Sequence, residues 1–188
     1  MGLQTVYGDW RLYNDLVVEA LRTMSADELS LRASSNDPSS STSWPIWAIA
    51  AHTAGVRVFW LCTIRAGPGA NETPFADPSE GGWEDDLDRP RSAAELVTAW
   101  TTTWAVVERA LDLWTPDALD VSVATGPDDA ARHFTRRSLL LRLVTHEAYH
   151  VGEIALIQGI HGRRSIDLWP PNYHTVEAAA ARRTRASG

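Results

Sequence analysis

The sequence has few of the features that distinguish disulfide-rich, membrane or secreted proteins from ordinary globular domains. It contains one cysteine, Cys62, in 188 residues, so neither an internal disulfide nor a cysteine-rich zinc site can form. No run of about 18 apolar residues occurs, so no transmembrane helix is expected. Residues 1–10 also lack the apolar stretch of a signal peptide. These absences together predict a cytoplasmic protein.

The sequence is also short of positive charge. Its 17 basic residues face 24 acidic ones, which gives a net charge of -7, and no basic block occurs before the last residues. Such a chain lacks the electrostatic footprint of a nucleic-acid-binding protein, and it would be repelled by an anionic membrane surface. We therefore expect a small molecule as the partner, and neither nucleic acid nor a membrane.

Alternating apolar and polar residues, the pattern of a β-strand, are nearly absent, and the apolar period is helical along most of the chain. Four long helices are predicted, over about residues 6–24, 45–66, 93–114 and 136–160. A short strand is expected only within residues 117–134. The fold class that follows is all-α, a four-helix bundle. We expect one domain over residues 1–188, with 175–188 as a frayed tail.

Local signals mark the ends of two of these helices. Ser92 and Glu95 form a capping box that opens the third helix. Thr135 can cap the start of the fourth helix, and Gly162 follows its end.

The fourth predicted helix is apolar nearly all round, so we expect it to be the central, buried one. At about 100° per residue, five polar residues nevertheless share one face of it: Arg142, His146, Tyr149, His150 and Glu153. Polar groups on a buried helix are costly unless they are bonded. His146 and His150 are four residues apart, so both rings can reach one point in space.

The second predicted helix carries His52 among apolar neighbours. Ala48 and Ile49 lie near it on the helix, whereas Arg57 and Arg65 are placed on the opposite side, so His52 should point inward. Three inward imidazoles suit a divalent metal ion such as zinc or nickel. Three protein ligands leave a position for water or substrate. The alternative is that these histidines are hydrogen-bonded core residues without a metal.

Residues 146–150 also fit the zinc-protease pattern, in which two histidines bind zinc and Glu147 is the general base. The longer form of that pattern needs a glycine and a histidine where this chain has Glu153 and Leu156. Glu177 could serve as a later ligand. Because almost no strand is available to build a protease cleft, this interpretation is the less favoured one.

Two segments resemble the DinB-like family of small bacterial metalloenzymes. They are WPIWAIAAH, residues 44–52, and LVTHEAYHVGEI, residues 143–154. The resemblance spans about residues 5–170 and includes the order of the two histidine-bearing helices. It implies a four-helix bundle with a three-histidine metal site, and often a homodimer. The family's metal ligands correspond to His52, His146 and His150.

The family includes thiol-dependent transferases and isomerases, among them mycothiol-dependent maleylpyruvate isomerase. Richness in tryptophan, arginine and alanine resembles actinobacterial members, for which mycothiol is the expected thiol. The resemblance therefore implies a metal-dependent enzyme in which the ion holds a low-molecular-weight thiol as its thiolate. The alternatives are a hydrolase that uses metal-bound water and a bundle that binds a metal or a ligand without turnover.

Three residues of the polar face are candidates for catalysis. Glu153 could carry a proton, while Tyr149 and Arg142 could orient the substrate. Many family members have Arg-Gly-Gln after the last ligand, whereas this chain has Val151-Gly152-Glu153, so the polar group beside the metal differs. The nine tryptophans would also leave aromatic surface for the interface of a homodimer.

Overall fold

The computed structural model describes residues 3–33, 44–64, 67–76, 86–125 and 132–169. The helices are α1 Gln4–Tyr7, α2 Trp10–Thr23, α3 Ala26–Leu29, α4 Ile46–Val58, α5 Ala93–Leu113 and α6 Arg136–Ile160. Two strands, β1 Ser122–Thr125 and β2 Arg132–Thr135, lie between α5 and α6. A π-helical turn, Phe59–Ile64, continues α4, and 3-10 turns occur at Ala70–Glu72 and Pro116–Asp120. The predicted all-α fold is confirmed; Arg65, Glu177 and the predicted tail lie outside the described residues.

The predicted capping signals are confirmed. The Ser92 hydroxyl accepts a hydrogen bond from the backbone N–H of Glu95, whose carboxylate accepts one from the backbone N–H of Ser92. Thr135 Oγ1 accepts from the backbone N–H of Ser138 at the start of α6. After α6, Gly162 has a φ of 64°, a left-handed conformation that a glycine adopts without strain.

The first predicted helix is in fact two helices. Gly8 and Asp9 separate α1 from α2, and Val6, expected on the inner face, is 70% exposed. Leu3 enters the core instead, and its backbone N–H donates to the carbonyl of Leu111 in α5. The periodic pattern alone could not show this break, because the apolar spacing continues across it.

The short strands form an antiparallel hairpin in which Val123 pairs with Phe134. The predicted location of the strand is confirmed, with β2 extending one residue beyond it. The ring of Phe134 contacts that of Trp60, with 5.2 Å between their centroids. The hairpin therefore packs beside the end of α4.

The central helix of the bundle is α4, which packs against both α5 and α6, while α2 packs against α5. Every residue of α4 is buried except His52. The prediction that α6 is the central helix is therefore wrong, because Leu141, Leu156 and Ile160 of α6 are 57–63% exposed. Apolar composition does not distinguish a core face from an exposed one.

The stretch Ile46–Ile64 is long and apolar enough to cross a membrane by length and composition. Within the bundle, however, 78% of its apolar window is buried. Its apolarity is that of a core helix surrounded by other helices of the same domain.

Candidate metal centre

Three histidines converge between α4 and α6. The Nε2 atoms of His52 and His146 are 3.2 Å apart. The centroids of the three rings are 4.4–5.1 Å from one another. One ring nitrogen of each, including His150, lies within 4.8 Å of the others. The structure thus brings together the three predicted ligands, although His52 is 94 residues before His146 in the sequence.

Helix geometry explains this convergence. Residues 146 and 150 are on successive turns of α6, and His52 is the one residue of α4 that is not buried. Because α4 and α6 are in direct contact, the His52 ring reaches the other two. The ring of Trp44 packs edge-on against His52, with a centroid separation of 5.4 Å, and restricts its orientation.

Burial keeps two of the imidazoles neutral. Removal from water, together with the neighbouring imidazoles and the Arg142 guanidinium, lowers the pKa of His146 to about 3. Burial and the nearby His52 lower the pKa of His150 to about 4. At neutral pH both rings therefore carry a lone pair that is available to a metal ion.

Glu153 determines how the His150 ring is presented. Its Oε2 lies 2.5 Å from His150 Nδ1, and both side chains are almost fully buried. When Nδ1–H donates to this carboxylate, Nε2 is the nitrogen left for a metal ion. His146 differs, since its buried Nδ1 has no hydrogen-bond partner within the described parts of the chain. A carboxylate therefore holds the Nδ1 of His150, whereas no described residue holds the Nδ1 of His146.

The donor set and its spacing fit a transition metal. Two ligands of a tetrahedral zinc ion with bonds of about 2.1 Å are about 3.4 Å apart, close to the 3.2 Å between the Nε2 atoms of His52 and His146. In the described ranges no fourth histidine, cysteine or carboxylate joins the group. His52 and His146 are only partly buried. The three histidines could therefore hold a metal ion whose fourth coordination position is available to another ligand.

Arg57 and Glu147 form a buried ion pair that the sequence did not reveal. Arg57 Nε lies 2.7 Å from Glu147 Oε1, and Trp10 Nε1 donates to Glu147 Oε2 at 2.8 Å. Arg57 also donates to Asn14 Oδ1 at 2.9 Å. Arg57 was predicted on the side of the helix opposite His52, and it is 0% exposed. The face opposite His52 points toward α2 and α5 rather than toward solvent.

This ion pair removes Glu147 from the metal chemistry. At about 100° per residue, the side chain at position 147 points about 80° from the mean direction of His146 and His150, and its carboxylate is bonded to Arg57 and Trp10. The zinc-protease interpretation needs this group as a general base beside the ion. The structure assigns it to the core instead.

A cavity of about 230 Å³ lies on that same face of α6. Its walls include Trp10, Tyr13, Trp100, Val144, Glu147 and Trp169. None of the three histidines lines this cavity, so it is separate from the candidate metal centre.

The two remaining predicted site residues lie beside the histidines. Tyr149 is 59% exposed, and its ring centroid is 5.0 Å from that of His150. Arg142 is exposed, and its Cζ lies 4.7 Å from the centre of the Trp60 ring. Trp60 was not singled out from the sequence, although its position eight residues after His52 places it about two helical turns along.

Comparisons with known proteins agree with this architecture. The profile of the DinB superfamily matches residues 12–154, a range that contains all three histidines. The crystal structure of a DinB-like protein from Bacillus cereus ATCC 10987 superimposes with a TM-score of 0.57 at 17% identity, over 84% of this chain and 91% of that one. At this identity the likeness supports the fold alone. No protein of curated function matches the chain.

Proposed function

This chain belongs to the DinB superfamily, and from that premise we propose that it is a metal-dependent enzyme acting on a small molecule. The observation that carries the proposal is the convergence of His52, His146 and His150 within 4.8 Å. Within the described residues no fourth donor joins them, an arrangement typical of catalytic rather than structural metal sites. The reaction we favour is a thiol-dependent transfer or isomerisation.

In this proposal the three histidines hold a zinc or nickel ion. When bound, the ion would stabilise the thiolate of a low-molecular-weight thiol, which is the nucleophilic form. Mycothiol is the thiol that the sequence resemblance suggests. Such thiols are abundant in a reducing cytoplasm, where we place the protein.

The chain's own residues have distinct roles in the proposal. Glu153 holds the Nδ1 of His150, which orients the ring and raises the basicity of its other nitrogen. The same carboxylate is our candidate to take up the proton released by the thiol. Tyr149 and Arg142 flank the histidines from exposed positions, where a substrate can reach them.

A metal-dependent hydrolase is the second candidate function. It would use metal-bound water in place of the thiol, with Glu153 as the base. The burial of Glu147 in its ion pair with Arg57 disfavours the zinc-protease form of this alternative.

Metal analysis of the purified protein tests the first step. We expect about one equivalent of zinc or nickel per chain, and His52→Ala should lose most of it because one of three ligands is removed. The matched control is His133→Ala, since His133 is an exposed histidine on β2. Equal metal content in wild type and His52→Ala would refute the metal centre.

A cobalt-substituted protein tests the second step. A thiolate bound to cobalt(II) gives a charge-transfer absorption band, so titration with mycothiol reports binding directly. We expect the band in the wild type and not in His52→Ala. Metal-loaded protein that gives no band and transfers no thiol, but hydrolyses ester substrates, would favour the hydrolase instead.

A further inference from the structure

The guanidinium group of Arg142 is held in place beside the metal centre by an aromatic face. Its Cζ lies 4.7 Å from the centre of the Trp60 ring, and Trp60 is itself packed edge-on against Phe134 and Phe59. Cation–π stacking of this kind orients the plane of the guanidinium. Arg142 is therefore positioned although it is exposed.

The charge of Arg142 is not neutralised by the protein. Other arginines of the bundle pair with carboxylates, among them Arg57 with Glu147 and Arg137 with Asp120. Over the described ranges, the Arg142 side chain makes no hydrogen bond or ion pair, and its guanidinium lies over the ring of Trp60. Stacking occupies the face of a guanidinium and leaves its in-plane N–H groups available to donate two hydrogen bonds to one acceptor group.

The Arg142 guanidinium lies where it could bind one end of a small ligand whose other end is at the three histidines. Arg142 precedes His146 by four residues, so the two side chains are neighbours on one face of α6, about 6 Å apart along the helix. A ligand bound at the three histidines through one end could reach the guanidinium through a group two or three bonds away.

We propose that Arg142 binds the carboxylate of the substrate, so that the enzyme acts on small organic acids. This inference rests on the proposed function, because it assumes that the reacting end of the substrate lies at the thiol held by the metal ion. A single guanidinium matches one carboxylate, whereas a phosphate site usually gathers several donors. The chain has a net charge of -7, so the exposed cation Arg142 favours the binding of an anion at this site rather than elsewhere on the surface.

The test uses two thiols of the same size on the cobalt-loaded, full-length protein. One is 3-mercaptopropionate and the other is its neutral amide, so they differ only in the charged group. We expect the wild type to bind the carboxylate about tenfold more tightly than the amide, as is reasonable for a bidentate charged pair that is partly screened by solvent. Added salt should reduce this preference.

Arg142→Gln should abolish the preference and leave the cobalt content unchanged. Arg142→Lys should keep part of it, because the charge remains but the planar fork does not. The matched control is Arg137→Gln, which removes an exposed arginine of α6 that is paired with Asp120 and should keep the full preference. Equal affinities for the two thiols, no binding of either, or an unchanged preference in Arg142→Gln would each overturn the inference. Protein that takes up no metal would instead remove the proposed function.

Discussion

At the residue scale, the properties of the centre depend on which ring nitrogens are occupied. His150 has a carboxylate on Nδ1, while the buried Nδ1 of His146 lacks a hydrogen-bond partner within the described residues. The two α6 histidines are therefore not equivalent. His150 is oriented by a polar contact, and His146 is oriented by packing against the other rings.

Glu153→Gln should weaken metal binding without abolishing it. The amide keeps the size of the side chain but is a poorer acceptor for His150 Nδ1–H, and loss of such a partner typically lowers metal affinity about 10- to 100-fold. Competition with a chromophoric chelator measures the affinity. Glu19→Gln, in an exposed pair with Arg22, is the control. An affinity equal to that of the wild type would show that the carboxylate does not orient the ligand.

Acid should destabilise the metal-free protein over a defined range. Burial lowers the pKa of His146 to about 3 and of His150 to about 4 from 6.5. At pH values below 6.5 and above these two pKa values, the histidines of the unfolded chain bind protons that those of the folded chain do not. The free energy of unfolding should therefore be constant above about pH 7 and fall as the pH decreases from about 6.5 to 4. Urea unfolding at a series of pH values measures it.

A variant separates this effect from ordinary acid denaturation. Hydrogen bonds from Ser25 and Ser92 lower the pKa values of Glu28 and Glu95 below 4.5, so those carboxylates lose their contribution only in more acidic solution. His150→Gln should have a shallower dependence between pH 6.5 and 4.5. The same slope in the variant and the wild type would assign the effect to other groups.

At the scale of the elements, one ion pair connects three helices. Arg57 belongs to α4 and Glu147 to α6, and Trp10 and Asn14 of α2 form hydrogen bonds with the pair. The guanidinium also lies over the ring of Trp100 in α5. Desolvated charges of this kind contribute little net stability as a pair, but either one alone is costly.

Glu147→Ala should lower the free energy of unfolding by about 3–5 kcal/mol, because it leaves the Arg57 charge buried and unpaired. Arg57→Met combined with Glu147→Leu should lie within about 1 kcal/mol of the wild type or be more stable. Urea unfolding at pH 7 gives both values. A loss below about 1 kcal/mol for Glu147→Ala would mean that water reaches the pair.

A second substitution at Glu147 distinguishes zinc-protease chemistry from thiol transfer. Glu147→Gln should keep its metal content, because the Glu147 carboxylate is bonded to Arg57 and Trp10 and not to a histidine. In a zinc protease the same variant would keep metal but lose all activity. Thiol transfer that survives in folded Glu147→Gln therefore argues against a role for Glu147 as the general base.

At the scale of the whole molecule, α6 has apolar side chains on its exposed side. Leu141, Leu156 and Ile160 are 57–63% exposed, and at about 100° per residue they lie within one arc of about 100°. Among the tryptophans in the described residues, Trp169 alone is largely exposed, so tryptophan offers little surface for an interface there. An aliphatic stripe on α6 is the better candidate.

We expect a homodimer in which this stripe packs against the same stripe of a second copy, since a twofold interface uses one patch twice. Leu156→Glu should produce a monomer, because a charge would be placed inside the interface. Light scattering at several concentrations measures the mass. Leu113→Glu, at a residue of α5 that is 66% exposed, should remain dimeric. A monomeric wild type at high concentration would contradict the expectation.

Local signals were sufficient to predict much of this molecule. The bounds of α6 follow from Thr135, the apolar period and Gly162, and the start of α5 from Ser92 and Glu95. The shared direction of His146 and His150 is likewise a property of one helix, independent of its surroundings. The grouping of His52 with these two was also predicted, but the argument from Arg57 on the opposite side does not hold, because Arg57 is buried as well.

Tertiary structure decided everything that depends on which helix faces which. The 3.2 Å between His52 and His146 exists because α4 packs against α6, and no local pattern specifies that contact. The same packing buries Arg57 and bonds it to Glu147, although both residue types are usually solvated. It also makes α4 the core helix and leaves a face of α6 exposed. Sequence periodicity defines the faces of a helix, and only the neighbouring elements determine which face meets protein and which meets water.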